Sequence, residues 1–215
     1  MFDKDHYEEV KKRLEGRAEL CAVSKMHSIE EIQCAYDMGQ RRFGENKAAE
    51  LVSKANALPK DIEWHFIGHL QRNKVKQILP YVSCIESLDS VRLAETIEKE
   101  AAKLDKTVSC LLEFHLALKD ENKTGLPEEE ALEVLRACQL PHINIKGIMA
   151  MGPHTEDEAE IREVFQRGRA LFERLQKEDR NLTVLSMGMS DDYPIAVDCG
   201  ATLVRIGSYL FHGEP

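Results

Sequence analysis

The sequence predicts an α/β fold: a single (β/α)8 TIM-type barrel with an extra N-terminal helix, spanning residues 1–215. Short β-branched runs alternate with helical patterns eight times along the chain. Several of these runs are almost continuously apolar, as expected for parallel strands that helices cover on the outside. Eight such units close a barrel. A doubly wound open sheet is the alternative, although no GxGxxG or GxxxxGK[ST] motif supports its nucleotide-binding version.

The elements follow one another in a regular order. The expected strands are residues 20–25, 42–44, 64–68, 82–86, 108–114, 143–149, 184–187 and 203–206. An amphipathic helix is expected at residues 5–13, before the first strand. The expected helices between strands are residues 28–38, 47–57, 74–78, 90–104, 127–138, 156–178 and 192–199.

Helix start and stop signals support this division. Ser28 precedes two glutamates and can cap the helix that follows it. Pro127 suits a first helical position, because proline lacks the amide hydrogen that is unpaired there. Gly39 and Gly200 are expected to end their helices.

Composition narrows the class of protein. The formal net charge of -9 argues against nucleic-acid binding and against binding to anionic membranes. No apolar segment approaches the roughly 20 residues of a membrane span, and the polar N-terminus has no signal-peptide core. The six cysteines form no CxxC pair. We therefore expect a reduced, cytoplasmic protein.

Lys25 ends the first apolar run, and a helix signal follows it almost at once. Burying a lysine is unfavourable because its ammonium loses hydration. At the end of an inner strand, such a lysine can serve as an amine nucleophile. The alternative is a lysine that extends from the strand end into solvent.

Two late loops favour an anion site. Ser190 precedes Asp191 and Asp192 and is placed as a helix N-cap, whereas Gly207 and Ser208 follow the last strand. In this fold, the loops after strands seven and eight commonly bind a phosphate group. A plain helix cap and a tight turn are the alternative interpretation.

Arg205 lies in the last apolar strand, two residues before Gly207. Its guanidinium can point into the strand-end cavity, where it would leave a facing pyridine nitrogen unprotonated, because arginine donates but does not accept hydrogen bonds. A buried ion pair, for instance with Glu19 or Glu113, is the alternative. His65 is interpreted as a packed or pocket-lining residue, and no metal site is expected.

These residues resemble a known family, the pyridoxal-phosphate homeostasis proteins, which are single-barrel relatives of the alanine racemase N-terminal domain. The segments that carry the resemblance are Ala22-Val-Ser-Lys25, Arg42-Phe-Gly-Glu-Asn46, Trp64-His-Phe-Ile-Gly-His-Leu-Gln71, Lys123-Thr-Gly125, Gly147-Ile-Met-Ala-Met-Gly152, Leu185-Ser-Met-Gly-Met-Ser-Asp-Asp192 and Val204-Arg-Ile-Gly207.

The resemblance implies a cofactor, pyridoxal 5′-phosphate, held as an aldimine at Lys25. It further implies phosphate contacts at Ser190, Gly207 and Ser208, and places Arg205 at the pyridine nitrogen. The residues that would line the pocket are Asn46, His65 and Met149.

The remaining choice is between a carrier and an enzyme. A racemase needs a base on each face of the substrate carbon, and in alanine racemase the second base is a tyrosine from an additional domain. The chain stops at Pro215, and neither Tyr36 nor Tyr209 has an evident position opposite Lys25. We therefore expect no catalytic residue and a monomeric carrier that serves pyridoxal-phosphate homeostasis and delivery to apo-enzymes. The alternatives are a weak amino-acid racemase and a cofactor-free aldolase that uses Lys25.

Overall fold

Within residues 1–117 and 125–212, which the computed structural model describes, eight parallel strands close into a barrel. The strands are β1 (Glu19–Val23), β2 (Arg42–Glu45), β3 (Glu63–Phe66), β4 (Val82–Leu88), β5 (Val108–Phe114), β6 (Ile143–Ala150), β7 (Val184–Ser186) and β8 (Leu203–Ile206). Because β1 pairs with β8 as well as with β2, the sheet has no open edge. The barrel prediction is confirmed, and the open-sheet alternative is wrong.

A helix precedes β1, and one helix follows each strand from β1 to β7. The helices are α1 (Lys4–Leu14), α2 (Ile29–Asp37), α3 (Ala48–Ala57), α4 (Val75–Ile78), α5 (Val91–Ala102), α6 (Ala131–Ala137), α7 (Glu158–Glu178) and α8 (Tyr193–Asp198). Short 3-10 turns, Arg72–Lys74 and Glu128–Glu130, lead into α4 and α6. No helix in the described part of the chain is both long enough and apolar enough to cross a membrane.

The end signals show which local predictions are correct. The Ser28 hydroxyl accepts the Glu31 amide and the Glu31 carboxylate accepts the Ser28 amide, so the cap of α2 is confirmed as a capping box. Gly39 and Gly200 follow α2 and α8 with positive φ, as a glycine after a helix end often does. Pro127 lies just before its 3-10 turn rather than inside a helix.

The helix predicted at 127–138 begins four residues before α6, and β1 ends at Val23, two residues before Lys25. The strands predicted at 108–114 and 203–206 match β5 and β8 at both ends. Of the segments that carry the family resemblance, Lys123 and Thr124 lie outside the described residues.

The two ends of the described chain meet beside the barrel. Phe2 and Phe211 form an isolated antiparallel bridge, and their rings pack with centroids 5.3 Å apart. The segment after β8 is a turn, in which the amides of Leu210 and Phe211 donate to the Gly207 carbonyl. This turn connects the last barrel strand to the N-terminal helix.

Candidate functional site at the carboxyl ends of the strands

Lys25 occupies a tight turn just beyond the carboxyl end of β1. The Ser24 amide donates to the Gly44 carbonyl at 2.9 Å, and the His27 amide donates back to the Ser24 carbonyl at 3.1 Å. Lys25 and Met26 form the two central residues, with Met26 at φ +65°. The Lys25 side chain is exposed. The predicted strand 20–25 is therefore two residues too long at its carboxyl end, because β1 ends at Val23, and the exposed side chain matches the alternative of a lysine that extends into solvent.

A buried ion pair between Lys54 and Glu45 stabilises the turn. Lys54 of α3 donates from Nζ to the Ser24 carbonyl and to Glu45 Oε1, both at 2.7 Å. The Ser24 hydroxyl donates to the same Glu45 oxygen at 2.6 Å. Glu45 is fully buried and Lys54 is 7% exposed. This network fixes the backbone immediately before Lys25.

Burial and hydrogen bonding act in opposite directions on the pKa of Glu45, and burial prevails. Burial raises the pKa of Glu45 above its ordinary value, although the Lys54 ammonium and the Ser24 hydroxyl act in the opposite direction. The second carboxylate oxygen, Oε2, has no hydrogen-bond partner in the part of the chain that is described. The carboxylate therefore depends on Lys54 for most of its compensation.

A neighbouring contact completes the turn. Glu50, one helical turn before Lys54 on α3, accepts the Met26 amide at 2.9 Å. This hydrogen bond is the first of the causes that hold the pKa of Glu50 below its ordinary value. Since it fastens the residue with positive φ, α3 supports both sides of the Lys25 turn.

Ser190, Gly207 and Ser208 come together in two adjacent loops. The Ser190 hydroxyl accepts the amides of Gly207 at 3.3 Å and Tyr209 at 3.4 Å. Among the described residues, the backbone amides of Ser190 and Ser208 have no acceptor. The free amides and the hydroxyls of these two adjacent loops are suitable donors for an anion.

The expected role of Ser190 as a helix cap is wrong. Helix α8 begins at Tyr193, and Asp192 occupies the N-cap position. Asp192 accepts the Met189 amide at 2.6 Å, and this contact shapes the loop ahead of the helix. The Ser190 hydroxyl joins the two loops instead, which the local sequence pattern could not indicate.

Gly207 brings the loop after β8 against the end of β1. A Cβ atom at Gly207 would lie 3.2 Å from Val23 Cβ, so the two backbones approach closely. Val23 is the last residue of β1, two positions before Lys25. The amine and the free amides therefore share one rim of the barrel.

Arg205 lies inside the barrel in a buried polar cluster with Glu86, Ser186 and His65. Its Nη1 donates to Ser186 Oγ at 2.6 Å and lies 3.8 Å from Glu86 Oε2, while its Nη2 donates to the Ala150 carbonyl at 3.0 Å. Ser186 donates to Glu86 Oε2, and His65 Nδ1 lies 2.6 Å from Glu86 Oε1. Glu86 thus connects two residues that sequence reasoning had selected separately.

The partner of Arg205 differs from the two candidates named from sequence. Glu19 contacts Arg42 instead, at the opposite end of the barrel. Burial acts to raise the pKa of Glu86, but the His65 hydrogen bond and charge and the nearby Arg205 hold that pKa below its ordinary value. Glu86 is the main residue that sequence reasoning missed, although it ends the predicted strand 82–86 and so had the same signal as Lys25.

Asn46 and Met149 occupy different depths. Asn46 directly follows β2, and its buried Oδ1 has no hydrogen-bond partner within residues 1–117 and 125–212. Met149 is 2% exposed and packs inside the barrel with Cys84 and Leu111. The structure therefore puts Asn46 just beyond the strand ends and Met149 deeper, beside Ser186 in the strand register.

Comparison with known sequences identifies the family. The family profile described as "Alanine racemase, N-terminal domain" matches residues 4–215, so the chain belongs to that family. A pyridoxal phosphate homeostasis protein of Helicobacter pylori is 43% identical over 198 residues, covering 89% of this chain and 86% of its own. One of Aquifex aeolicus is 39% identical over 203 residues, covering 91% and 89%. Within the family, the chain therefore belongs to the pyridoxal phosphate homeostasis proteins.

Solved structures agree with this assignment. PipY of Synechococcus elongatus without PLP superposes with a TM-score of 0.89 at 36% identity, covering 96% of this chain and 98% of its own. The structure of PipY with PLP bound gives a TM-score of 0.87 at 34% identity, with the same coverage. An alanine racemase of Clostridium difficile gives 0.81 at 15% identity, covering 99% of this chain and 56% of its own, and so shows the fold alone.

Proposed function

We propose that this chain binds pyridoxal 5′-phosphate at the rim that Lys25 shares with the Gly207 loop, and that it stores and delivers the cofactor with little or no turnover. The observation that carries the proposal is the close approach of Gly207 to Val23, which sets free backbone amides beside the Lys25 turn. A primary amine and a set of anion-binding amides on one rim match the aldehyde and the phosphate of this ligand. PipY, at 34% identity, has been solved with PLP bound.

The residues present fit the cofactor. Pyridoxal phosphate supplies an aldehyde that condenses with a primary amine and a conjugated ring that withdraws electrons. In the proposal, Lys25 is the covalent tether, and Ser190, Gly207 and Ser208 hold the phosphate. The unpartnered Oδ1 of Asn46 is a hydrogen-bond acceptor available at the same end of the barrel.

Arg205 would meet the ring nitrogen. Its guanidinium is held by Ser186, Ala150 and Glu86, and of its five N–H groups some remain to donate elsewhere. Arginine keeps its own protons, so it donates a hydrogen bond to a pyridine nitrogen without protonating it. A ring in that state is a weak electron sink, which favours storage over carbanion chemistry.

The exposure of Lys25 supports delivery. A covalent link at an exposed turn can be reached by water and by an attacking amine, so the cofactor can leave. The buried lysine of this region, Lys54, is committed to Glu45 and to the Ser24 carbonyl. Lys54 therefore orients the turn and does not compete as the tether.

The tyrosines considered from sequence support low turnover. The Tyr36 hydroxyl donates to Asp61 at 2.8 Å, and the Tyr209 hydroxyl donates to Glu9 at 3.0 Å, both at the exposed surface. Each hydroxyl is engaged with a surface carboxylate, so neither serves as a second base opposite Lys25. Proton transfer on one face only does not racemise an amino acid.

The proposal extends to the setting of the protein. All six cysteines are free thiols, which is usual in a reducing compartment and supports a cytoplasmic role. We propose that the protein acts there as a monomer and supplies apo-enzymes that need the cofactor.

Two measurements test the function. Loaded protein mixed with an apo-enzyme should transfer the cofactor faster than free release into buffer, as followed by the recovered activity of the acceptor. Loaded protein incubated with one enantiomer of an amino acid in deuterated water should show negligible exchange of the α-proton. Rapid exchange at low protein concentration would establish an enzyme, and transfer at the rate of free release would remove the delivery role.

A further inference from the structure

Three potential metal ligands meet where the two ends of the chain come together. Asp3 is the N-cap of α1 and His6 lies in the first turn of that helix, whereas His212 follows the bridge between Phe2 and Phe211. One ligand atom from each of Asp3, His6 and His212 lies within 4.8 Å of the other two. The cluster thus depends on the tertiary fold and not on the helix alone.

The distances within the cluster suit a small cation. His212 Nε2 lies 2.8 Å and His6 Nδ1 lies 3.6 Å from Asp3 Oδ2. A tetrahedral ion with ligands at about 2.0–2.1 Å separates its ligand atoms by about 3.3 Å. The two distances to Asp3 lie on either side of that value, and the third pair of ligand atoms lies within 4.8 Å.

A fourth potential ligand, a backbone carbonyl oxygen, lies beside the cluster. The Tyr209 carbonyl is 3.0 Å from His6 Nδ1, and the Tyr209 ring stacks on the His6 imidazole with centroids 4.1 Å apart. The stacking fixes the plane of the imidazole before any ion arrives. His212 is exposed and the other two side chains are partly exposed, so an ion can enter and retain water.

We propose that Asp3, His6 and His212 form a binding site for a divalent first-row transition metal, with zinc as the expected ion. Two imidazoles and one carboxylate favour zinc and its neighbours over calcium or magnesium, which prefer sites made only of oxygen. To bind the ion, His212 Nε2 and His6 Nδ1 must both be unprotonated, so their hydrogen bonds to Asp3 and to the Tyr209 carbonyl are lost. Each neutral ring keeps its single proton on its other nitrogen, and any further proton passes to solvent.

The second cluster in the described part of the chain, Cys21, His65 and Glu86, is a poorer site. The Glu86 oxygens already contact His65 and Ser186, and the Arg205 cation lies 3.8 Å from Glu86. A divalent ion there would be repelled by the guanidinium. The cluster of Asp3, His6 and His212 has no guanidinium among its three ligands.

Binding of an ion by Asp3, His6 and His212 would also restrain the loop after β8. Once His6 Nδ1 has lost its proton, the Tyr209 carbonyl is free to bind the ion, and the Tyr209 amide donates to Ser190. An ion held by Tyr209 as well as by His6 and His212 therefore restrains the turn after Gly207 from its outer side. This consequence rests on the proposed function, whereas the metal site itself does not.

Zinc titration of the purified protein by calorimetry and equilibrium dialysis tests the site. We expect one equivalent to bind, and His6→Gln and His212→Gln each to weaken binding by more than about tenfold, since even the loss of an outer hydrogen-bond partner commonly costs about 10–100-fold. His69→Gln is the matched control, because His69 is an exposed histidine paired with a single carboxylate, Asp89.

Three results would overturn the proposal: no stoichiometric binding, equal binding by the His6→Gln and His212→Gln variants, or loss of binding in Cys21→Ser. Thermal unfolding of each variant without zinc checks that it folds, and imidazole nitrogen shifts in the wild type identify the ligating rings. Repeating the titration in Lys25→Ala separates this site from cofactor binding, because zinc should bind there with unchanged affinity even if the proposed function is wrong.

Discussion

Replacing Lys54 by methionine should destabilise the protein by about 3 kcal/mol, at the lower end of the range of about 3–5 kcal/mol for breaking a buried ion pair. Methionine keeps most of the side-chain length and removes the ammonium. Glu45 would then be fully buried with Oε2 still unpartnered within the described structure, and only the Ser24 hydroxyl would remain on Oε1. That remaining hydrogen bond places the expected loss at the lower end.

The double variant Lys54→Met with Glu45→Met should recover most of this stability. Apolar replacement of both members of a buried pair is commonly neutral within about 1.5 kcal/mol. The double variant should therefore be at least about 1.5 kcal/mol more stable than Lys54→Met. The Ser24 carbonyl would still lack its Nζ donor in the double variant, so capture of the cofactor at Lys25 should stay impaired after stability returns.

Urea unfolding at pH 7 gives the free energies of unfolding of the wild type, Lys54→Met and the double variant. The rate of colour formation with added pyridoxal phosphate measures capture of the cofactor at Lys25. A loss below about 1 kcal/mol in Lys54→Met, or a double variant no more stable than Lys54→Met, would refute the reasoning, because a buried charge without its partner is strongly destabilising. Normal capture in the double variant would show that Lys54 does not position the turn.

Two further outcomes follow from the site. Because the folded protein holds the pKa of Glu86 below its ordinary value of 4.5, the ionised carboxylate stabilises the fold above that pH, and this stability is lost as the pH falls through the folded pKa. The stability advantage of the wild type over Glu86→Gln should therefore shrink in urea titrations taken from pH 7 to below 4.5. A constant difference would contradict this prediction. Gly188 has φ +96° and its Cβ would lie 2.6 Å from Ala196 Cβ, so Gly188→Ala should cost about 2–5 kcal/mol, from about 1–2 of backbone strain and about 1–3 of overpacking. The control Gly16→Ala, with φ +68° and open space, should show only the strain in the same unfolding assay, and equal losses would contradict the packing argument.

The barrel was predictable because its signals are local. Alternation of strand and helix patterns, the cap at Ser28 and the glycines after α2 and α8 each depend on residues within a few positions of one another. Closure between β1 and β8 followed from the number of units, although no local signal specifies that pairing.

The interior contacts of the site were not predictable in the same way. Glu86 and Ser186 are 100 residues apart, and Arg205 reaches Glu86 only because β8 closes the barrel. No sequence signal distinguishes Lys54 from the other charged residues of α3. Only the fold places its Nζ against the Ser24 carbonyl. Chemistry at strand ends can be anticipated from sequence, whereas the partners that orient it depend on the three-dimensional fold.

The central claim is the covalent tether at Lys25, and one measurement tests it most directly. Protein loaded with pyridoxal phosphate is reduced with borohydride, digested, and mapped by mass spectrometry. The account predicts one stoichiometric pyridoxyl modification on Lys25, absent in Lys25→Arg and unchanged in Lys103→Ala, a surface lysine at the end of α5. Stoichiometric modification of another lysine in place of Lys25, or no covalent product from loaded protein, would contradict it.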